Sequence, residues 1–387
     1  MYTRIISESL PPEGSAFLFG PRQTGKTTIL KSLKSLLYIN LLNTDELLLY
    51  NKRPSNLYKK IAALKEKIGM IIIDEIQKAP ALLDEVQRVI DEYSELHFIL
   101  SGSSARKLKR GSANLLGGRA EDLKIYPLTL GEIDGNIDIS TLIKFGSLPR
   151  IVSLISTNKR SFALKLLNSY VSSYLNEEIK AESLVRKLDN FQRFLEVAGH
   201  QFAREINMSS LANQALLSDD SVKNYYSILE DTLIGFFLHP YSTSIRKELT
   251  KTAKFYFFDN GVTRAIQGTL SGEPSFQEIG YLFEQWVVQE VVRLNNYLSK
   301  GLKINFWQTR SRAEVDIVIS KGNELVLAIE CKSTQHPREK DLSGLLSFKD
   351  EYPKVKRVLC AMVDSSIMLG DVQVITPYML EEIIREI

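Results

Sequence analysis

The sequence predicts an α/β protein in successive parts: a phosphate-loop domain, a helical and winged-helix-like middle region, and a C-terminal α/β domain. Three observations carry this. Residues 15–130 alternate short apolar runs with helical patterns, as a mainly parallel sheet with helices on both faces requires. A glycine-rich run ending in Gly25-Lys26-Thr27 falls between the first strand and the first helix. Near the other end, AEVDIVISKGNELVLAIECKS (313–333) reads as a β-hairpin carrying an aspartate, then a glutamate and a lysine two apart. The expected boundaries are 1–140, 141–206 (helical), 207–270 (winged-helix-like) and 271–387.

The bulk properties narrow the class. A chain of 387 residues is long enough for two or three cores. With 44% hydrophobic and 25% charged residues the composition is that of a globular protein. The net charge of +3 gives no chain-wide argument for nucleic acid, so any basic patch must be local. The two cysteines, Cys331 and Cys360, lie in apolar runs; with four scattered histidines they supply neither a disulfide framework nor a zinc site. A reducing, cytoplasmic setting is expected. No apolar run is long enough to span a bilayer, and MYTRIISESL lacks the apolar core of a signal peptide.

In the first domain the strand candidates are SAFLF, LYINL, MIIID, HFILS and LKIYP, with helical patterns over 25–36, 55–67 and 80–93. Gly20-Pro21-Arg22-Gln23-Thr24-Gly25-Lys26-Thr27 fits G-x-x-x-x-G-K-[ST], with strand before and helix after. Backbone N–H groups of such a loop, through Thr28, wrap phosphates at the positive end of the helix. Lys26 is expected on the β- and γ-phosphates of ATP, and Thr27 on Mg²⁺. IIIDEIQKAP delivers Asp74 as the Mg²⁺ partner and Glu75 to polarise the attacking water. HFILSGSSARKL ends in hydroxyls, of which Ser103 ahead of Ser101 would sense the γ-phosphate; a helix cap at Ser103 or Ser104 is the competing reading. Arg119, after a glycine pair, would stabilise charge on its own nucleotide or a neighbour's, and Arg22 would bind phosphate or brace the carboxylates.

Residues 209–259 run helix, turn, helix, hairpin, the order of a winged helix. Asp219 or Asp220 would cap the second helix. Ser221, Lys223, Asn224 and Tyr225 would lie where a recognition helix meets a groove. The connector's Arg246, Lys247, Lys251 and Lys254 would touch phosphate, or form a solvated loop. FQEIGYLFEQWVVQEVVRLNNYLS (276–299) reads as one long amphipathic helix.

In a strand, residues two apart share a face, so Glu330 and Lys332 point one way and Cys331 points to the core. A turn at Lys321-Gly322-Asn323-Glu324 brings Asp316 opposite. Two carboxylates there would hold Mg²⁺ or Mn²⁺, with the lysine orienting water or steadying phosphate charge. The alternative is a cross-strand ion pair bracing a hairpin.

GPRQTGKTT, IIIDEIQKAP, LSGSSARKL and the GGR…YPLTLGE stretch resemble a large family of prokaryotic AAA-type ATPases whose C-terminal region is a domain of unknown function. The resemblance extends to FGSLPRIV, FYFFDNGVTRAI and GYLFEQWVVQE. It implies an AAA fold, a winged-helix-like segment and a restriction-endonuclease-like end. The last would be a nuclease core of the D…(D/E)xK type, in which Glu284, from the upstream helix, joins Asp316 and Glu330 as a metal ligand. The implied function is an ATPase acting on DNA, with a nuclease-like site that grips or cuts it. The alternatives are a nucleotide-dependent switch or scaffold for a protein partner and, more remotely, a transport or chaperone ATPase. A nucleotide-dependent homo-oligomer is expected, with no membrane partner.

Overall fold

The structure is a computed structural model of the chain and describes residues 2–103, 108, 116–133, 137–175, 188–242 and 252–387. The chain folds as two compact units, residues 3–127 with 231–234, and residues 128–230 with 235–387.

The first unit is built on five parallel strands, β1 (Ser15–Phe19), β2 (Leu37–Asn40), β3 (Gly69–Asp74), β4 (Leu96–Gly102) and β5 (Ala120–Lys124), in the order β2-β3-β4-β1-β5. Helices α1 (Lys26–Ser32), α2 (Thr44–Lys52), α3 (Asn56–Ala62) and α4 (Leu82–Glu92) connect them. The central strands are buried along their length, which is why they read as unbroken apolar runs. Helix α4 buries Leu82, Leu83, Val86 and Val89, one stripe at helical spacing, so Leu82→Ala would cost about 2–5 kcal/mol. Helix α2 was not expected. Its apolar residues face mostly outward, and Asn43 starts it by accepting from the Asp45 N–H at 2.9 Å.

The strand expected at LKIYP lies instead at Ala120–Lys124, paired in parallel with Ser15–Phe19. As an edge strand it is largely exposed and polar, so its pattern is weak. The apolar pair that suggested the strand continues past it: Ile125 N–H donates to Phe19 O at 2.7 Å, and both Ile125 and Tyr126 are buried.

The second unit begins with helices α5 (Ile139–Phe145), α6 (Pro149–Ser156), α7 (Arg160–Ser169) and α8 (Leu188–His200). Two further helices, α9 (Met208–Ala215) and α10 (Asp219–Asp231), precede the antiparallel pair β6 (Gly235–Leu238) and β7 (Lys254–Phe257). The expected cap of α10 at Asp219 or Asp220 is corrected. Ser218 Oγ accepts from the Ser221 N–H at 3.3 Å, while Asp219 accepts from Ser209 Oγ. Arg246, Lys247 and Lys251 lie outside the described residues.

Helix α11 (Asn260–Gln267) and the 22-residue α12 (Phe276–Tyr297) lead into a six-stranded sheet. Its strands are β8 (Lys303–Gln308), β9 (Glu314–Lys321), β10 (Glu324–Lys332), β11 (Lys356–Ala361), β12 (Ile367–Leu369) and β13 (Val372–Ile375), ordered β12-β13-β11-β10-β9-β8. The run β8-β9-β10 is an antiparallel meander; helix α13 (Ser343–Glu351) then crosses to β11, parallel to β10. Helix α14 (Leu380–Glu386) closes the chain. Phe348 and Leu345 of α13 pack with Val318, Ala328 and Leu359 to form the core on one side of this sheet.

The FGSLPR and FFDNGVTR stretches lock together. Asp259 caps α11 through Val262 N–H (3.0 Å) and accepts from Ser147 N–H (2.7 Å). Asn260 Nδ2 donates to Ile143 O and Leu282 O, binding α5 and α12 to α11. Along α12, Gln285 accepts from Phe257 N–H, and Arg293 donates to Leu128 O, Ser147 Oγ and Phe258 O. These buried polar groups tie the loops around residues 128, 147 and 258 to α5, α11 and α12.

Candidate functional site

Because the first sheet is parallel, the carboxyl ends of β1, β3 and β4 share one edge, and the loop after β1 opens there. Gly20 can only be glycine: a Cβ would stand 2.3 Å from Ile125 O. Gln23 (φ 64°) and Gly25 (φ 100°) turn the chain back on itself before α1. Thr24 Oγ1 donates to Pro21 O at 2.8 Å, and Arg4, near the N-terminus, donates to Thr24 O and Tyr126 O, both at 2.7 Å. Nothing in the sequence around Arg4 marks it as a support of the loop. Arg22 and Gln23 are half-buried and Thr28 is exposed. Lys26 Nζ donates to Gly20 O (2.6 Å) and Pro21 O (3.0 Å), lying across the loop.

Asp74, at the end of β3, is fully buried and accepts from Thr27 Oγ1 (2.9 Å), Tyr38 OH (2.8 Å) and Ser101 Oγ. Burial and the Asp74 contact push the Tyr38 hydroxyl up, so it stays a donor. A threonine hydroxyl beside a buried carboxylate is an all-oxygen donor set, which fits Mg²⁺. Glu75 sits in the left-handed region (φ 66°, ψ 43°), which costs a residue with a Cβ about 1–3 kcal/mol and is held by its neighbours. Its N–H donates to Ser101 Oγ at 3.2 Å, and Gln77 Nε2 donates to Glu75 Oε2 at 2.5 Å and to Ser103 Oγ at 3.3 Å. Ser101 therefore touches Asp74, and Ser103 reaches Glu75 only through Gln77. Gln77 was not singled out in the sequence. The signal was a buried polar residue in the turn after an apolar strand, packed against Gly102, where a Cβ would come 2.8 Å from Gln77 Oε1.

Arg119 is corrected for its own nucleotide site. It precedes β5, whose Ala120 pairs with Ser15 at the start of β1, whereas the phosphate loop follows Phe19 at the end of β1. Its Nε donates to Asp91 at 2.9 Å, and it lines a cavity of about 510 Å³ with Glu13, Ser15 and His97 at that far edge of the sheet.

In the second unit the β9–β10 hairpin turns at Gly322 (φ 63°) and Asn323, with Lys321 paired to Glu324. Ile317 pairs with Ile329, which brings Asp316 beside Glu330. Asp316 Oδ2 accepts from the Cys331 N–H at 2.8 Å, and Glu330 Oε1 accepts from Lys332 Nζ at 2.5 Å. Glu330 Oε2 is buried without a hydrogen-bond partner. From α12, Glu284 Oε1 accepts from Lys254 Nζ (3.0 Å) and Tyr256 OH (2.6 Å). Lys254 Nζ also meets Glu314 Oε1 at 2.5 Å. Glu314 was not anticipated, although strand alternation puts it on the face of Asp316.

Burial raises the Glu284 and Glu330 carboxyls; Asp316 adds to it in both, and Lys254 and Lys332 oppose it. For Lys254, burial works against the charge, but Glu284, Tyr256, Asp316 and Glu314 outweigh it and hold the ammonium. Burial, then Asp316, pushes the Cys331 thiol well up, so it is an inert packing group.

One expectation fails here. Lys254 is not a wing residue touching phosphate: it is 4% exposed, because β7 is pinned between β6 and residues 203–206 and turns that side chain inward. Of the expected metal ligands, Asp316 and Glu330 stand opposite each other across the hairpin, and Glu284 is held by Lys254 and Tyr256. Among the described residues no group of three or more carboxylate, histidine or cysteine side chains is arranged to hold a metal ion. One oxygen of each expected ligand is turned to a donor of the chain: Glu284 Oε1 to Lys254 and Tyr256, Asp316 Oδ2 to the Cys331 N–H, and Glu330 Oε1 to Lys332. Above them opens a cavity of about 650 Å³, reaching from Glu284, Asp316 and Lys332 to Phe276, His336, Arg338 and Lys340. No helix among the described residues is long and apolar enough to cross a membrane.

Residues 13–134 match a family described as an AAA domain, residues 136–272 a domain of unknown function (DUF8612), and residues 279–380 a second one (DUF4143). Similar curated proteins are an uncharacterized protein of Mycobacterium tuberculosis, 23% identical over 83% of this chain and 70% of its own, and one of Haemophilus influenzae, 21% identical over 87% and 86%. Among solved structures, a Walker-type ATPase of Pyrococcus abyssi aligns with a TM-score of 0.46 at 13% identity, covering 68% of this chain and 93% of that one. The chain thus joins a region matching an AAA domain to one matching DUF4143.

Proposed function

We propose that this chain, an AAA-type ATPase domain joined to a DUF4143 domain, hydrolyses ATP with Mg²⁺ and acts on nucleic acid, in the first place DNA. The observation that carries the ATPase reading is the cluster of Lys26, Thr27, Asp74 and Glu75 on one edge of a parallel sheet. Thr27 and Asp74 would hold Mg²⁺, which neutralises phosphate charge when bound. Lys26 binds the β- and γ-phosphates, and Glu75, steadied by Gln77, takes a proton from the attacking water.

The nucleic-acid reading rests on the order α12-β8-β9-β10-α13-β11, helix, three-stranded meander, helix, parallel strand, with Glu284, Asp316, Glu330 and Lys332 on it. That order supports a restriction-endonuclease-like domain. The run α9-α10-β6-β7 supports a winged-helix-like segment beside it. The proposed setting is the cytoplasm. Since Arg119 lies away from its own loop, its proposed role is in a neighbouring subunit of a nucleotide-dependent homo-oligomer. The deciding experiment is the ATPase rate with and without linear, single-stranded and branched DNA. Stimulation is expected, and a rate indifferent to all three sinks the nucleic-acid reading.

A second reading, a nucleotide-dependent switch or scaffold whose C-terminal domain only binds, is favoured by one observation: Lys254 pairs with Glu284, one of the carboxylates a nuclease would give to its metal, and with the adjacent Glu314.

A further inference from the structure

Lys254 places a buried ammonium between Glu284 and Glu314 of the C-terminal site. We infer that it takes the place of a divalent metal among Glu284, Glu314 and Asp316, so that the cavity above holds a phosphodiester strand without a resident metal ion. This rests on the nucleic-acid reading for the ligand, but not for the lysine.

Four features carry it. Lys254 Nζ is 3.0 Å from Glu284 Oε1 and 2.5 Å from Glu314 Oε1, with the Phe306 ring 5.3 Å away on another side. The lysine cannot easily swing out. Its strand bonds to β6 on one edge, and on the other Ala203 N–H donates to Phe255 O and Ile206 N–H to Ala253 O, both at 2.9 Å. Tyr256, two residues on and therefore on the same side of β7, gives its hydroxyl to the same Glu284 oxygen at 2.6 Å. A divalent ion would have to displace both donors and would then face a buried ammonium at close range, where the low dielectric screens the repulsion little. Finally, the cavity mouth carries exposed cations: Arg338 and Lys340 line it, with the acidic Asp341 beside them and Lys332, half-buried, paired to Glu330. Phe276, 85% exposed at the start of α12, offers a flat face there. Positive groups beside an exposed aromatic ring suit the phosphates and bases of a single strand, and this electrostatic grip needs no metal.

The test has two readouts in the full chain, without nucleotide and in a Lys26→Ala background that silences the phosphate loop. Mn²⁺ binding is measured by electron paramagnetic resonance, and single-stranded DNA binding by fluorescence anisotropy in EDTA and in Mg²⁺. Expected are no Mn²⁺ binding that depends on Asp316, and equal DNA affinity in EDTA and Mg²⁺. Lys254→Met should gain a bound Mn²⁺ that Asp316→Asn removes again. Lys254→Gln repeats that arm should the methionine variant fail to melt cooperatively. Mn²⁺ bound before any change at Lys254 and lost with Asp316→Asn overturns the inference, as does DNA binding that needs Mg²⁺. A folded Lys254 variant that gains no Mn²⁺ also overturns it, because the carboxylates are then no cation site. Absence of DNA binding in every condition overturns the nucleic-acid reading and the strand as ligand; the Mn²⁺ arms still decide the role of Lys254.

Discussion

Thr27 Oγ1 donates to Asp74 Oδ2 at 2.9 Å, bringing the start of the first helix and the end of the third strand together at one buried carboxylate. Around this pair the proposed ATPase chemistry divides into binding and hydrolysis. Lys26→Ala should abolish nucleotide binding, measured with a fluorescent ATP analogue, because the loop then holds phosphate charge without its main counter-charge. Glu75→Gln should bind ATP normally but turn over about 100-fold or more slower, the loss expected when a general base is removed. Turnover at the unmodified rate would remove Glu75 from that role.

The Arg119–Asp91 pair is exposed, so breaking it should cost under about 1 kcal/mol. Any large loss of ATPase activity in Arg119→Ala then comes from a neighbouring subunit's site. Mixing Arg119→Ala with Lys26→Ala chains should restore part of the activity, since some interfaces in the mixture carry an intact loop and an intact arginine. Absence of rescue, or a monomer in every nucleotide state by light scattering, would exclude the shared site.

Gly146 stands at φ 75° and ψ −173°, where a Cβ would lie 2.0 Å from Asp259 Oδ1. Gly146→Ala should therefore destabilise the second unit by about 3 kcal/mol or more, read as a fall in its thermal midpoint. The first unit should melt as before. A variant as stable as the parent would mean that Asp259 is free to move.

Burial pushes the Glu290 carboxyl up to about 7, against Arg293 and the Leu130 N–H, which favour its charge. The sign follows from proton uptake. Between its ordinary value and about 7 the folded chain binds a proton that the unfolded chain releases, so stability falls as pH rises through this window. Glu290→Gln removes the cost while keeping an acceptor for Leu130 N–H. Its stability advantage should grow by up to about 3 kcal/mol between pH 4.5 and pH 8 in urea titrations. A gap independent of pH would show that Glu290 stays charged.

If Arg338 and Lys340 grip phosphates at the cavity mouth, Arg338→Ala with Lys340→Ala should weaken DNA binding alike for every sequence. The salt dependence should flatten by about one unit per lost contact. Both side chains are exposed, so stability should hold. An unchanged slope would place the strand elsewhere.

The sequence by itself determined what depends on local pattern. The phosphate loop, Asp74, four of the five strands of the first sheet and the hairpin turn at Gly322-Asn323 were all legible. A buried strand, a glycine with a positive φ and a two-residue periodicity each leave a mark within a few residues. Strand alternation set Glu330 and Lys332 on one face, but a β-bulge between Leu325 and Leu327 brought Asp316 opposite Glu330; from the turn alone it would oppose Ile329. What the sequence left undetermined was set by contacts between distant segments. The edge strand β5 is polar because one side meets water, so its position came only from pairing with β1. Gln77 and Arg4 became supports of Glu75 and of the loop after β1 through hydrogen bonds that no spacing encodes. Lys254 read as one more basic residue in a connector. Only the pinning of β7 between β6 and residues 203–206 turned its ammonium inward to Glu284 and Glu314, 30 and 60 residues away along the chain. A buried charge is stable only beside its counter-charges, and the tertiary fold alone supplied them.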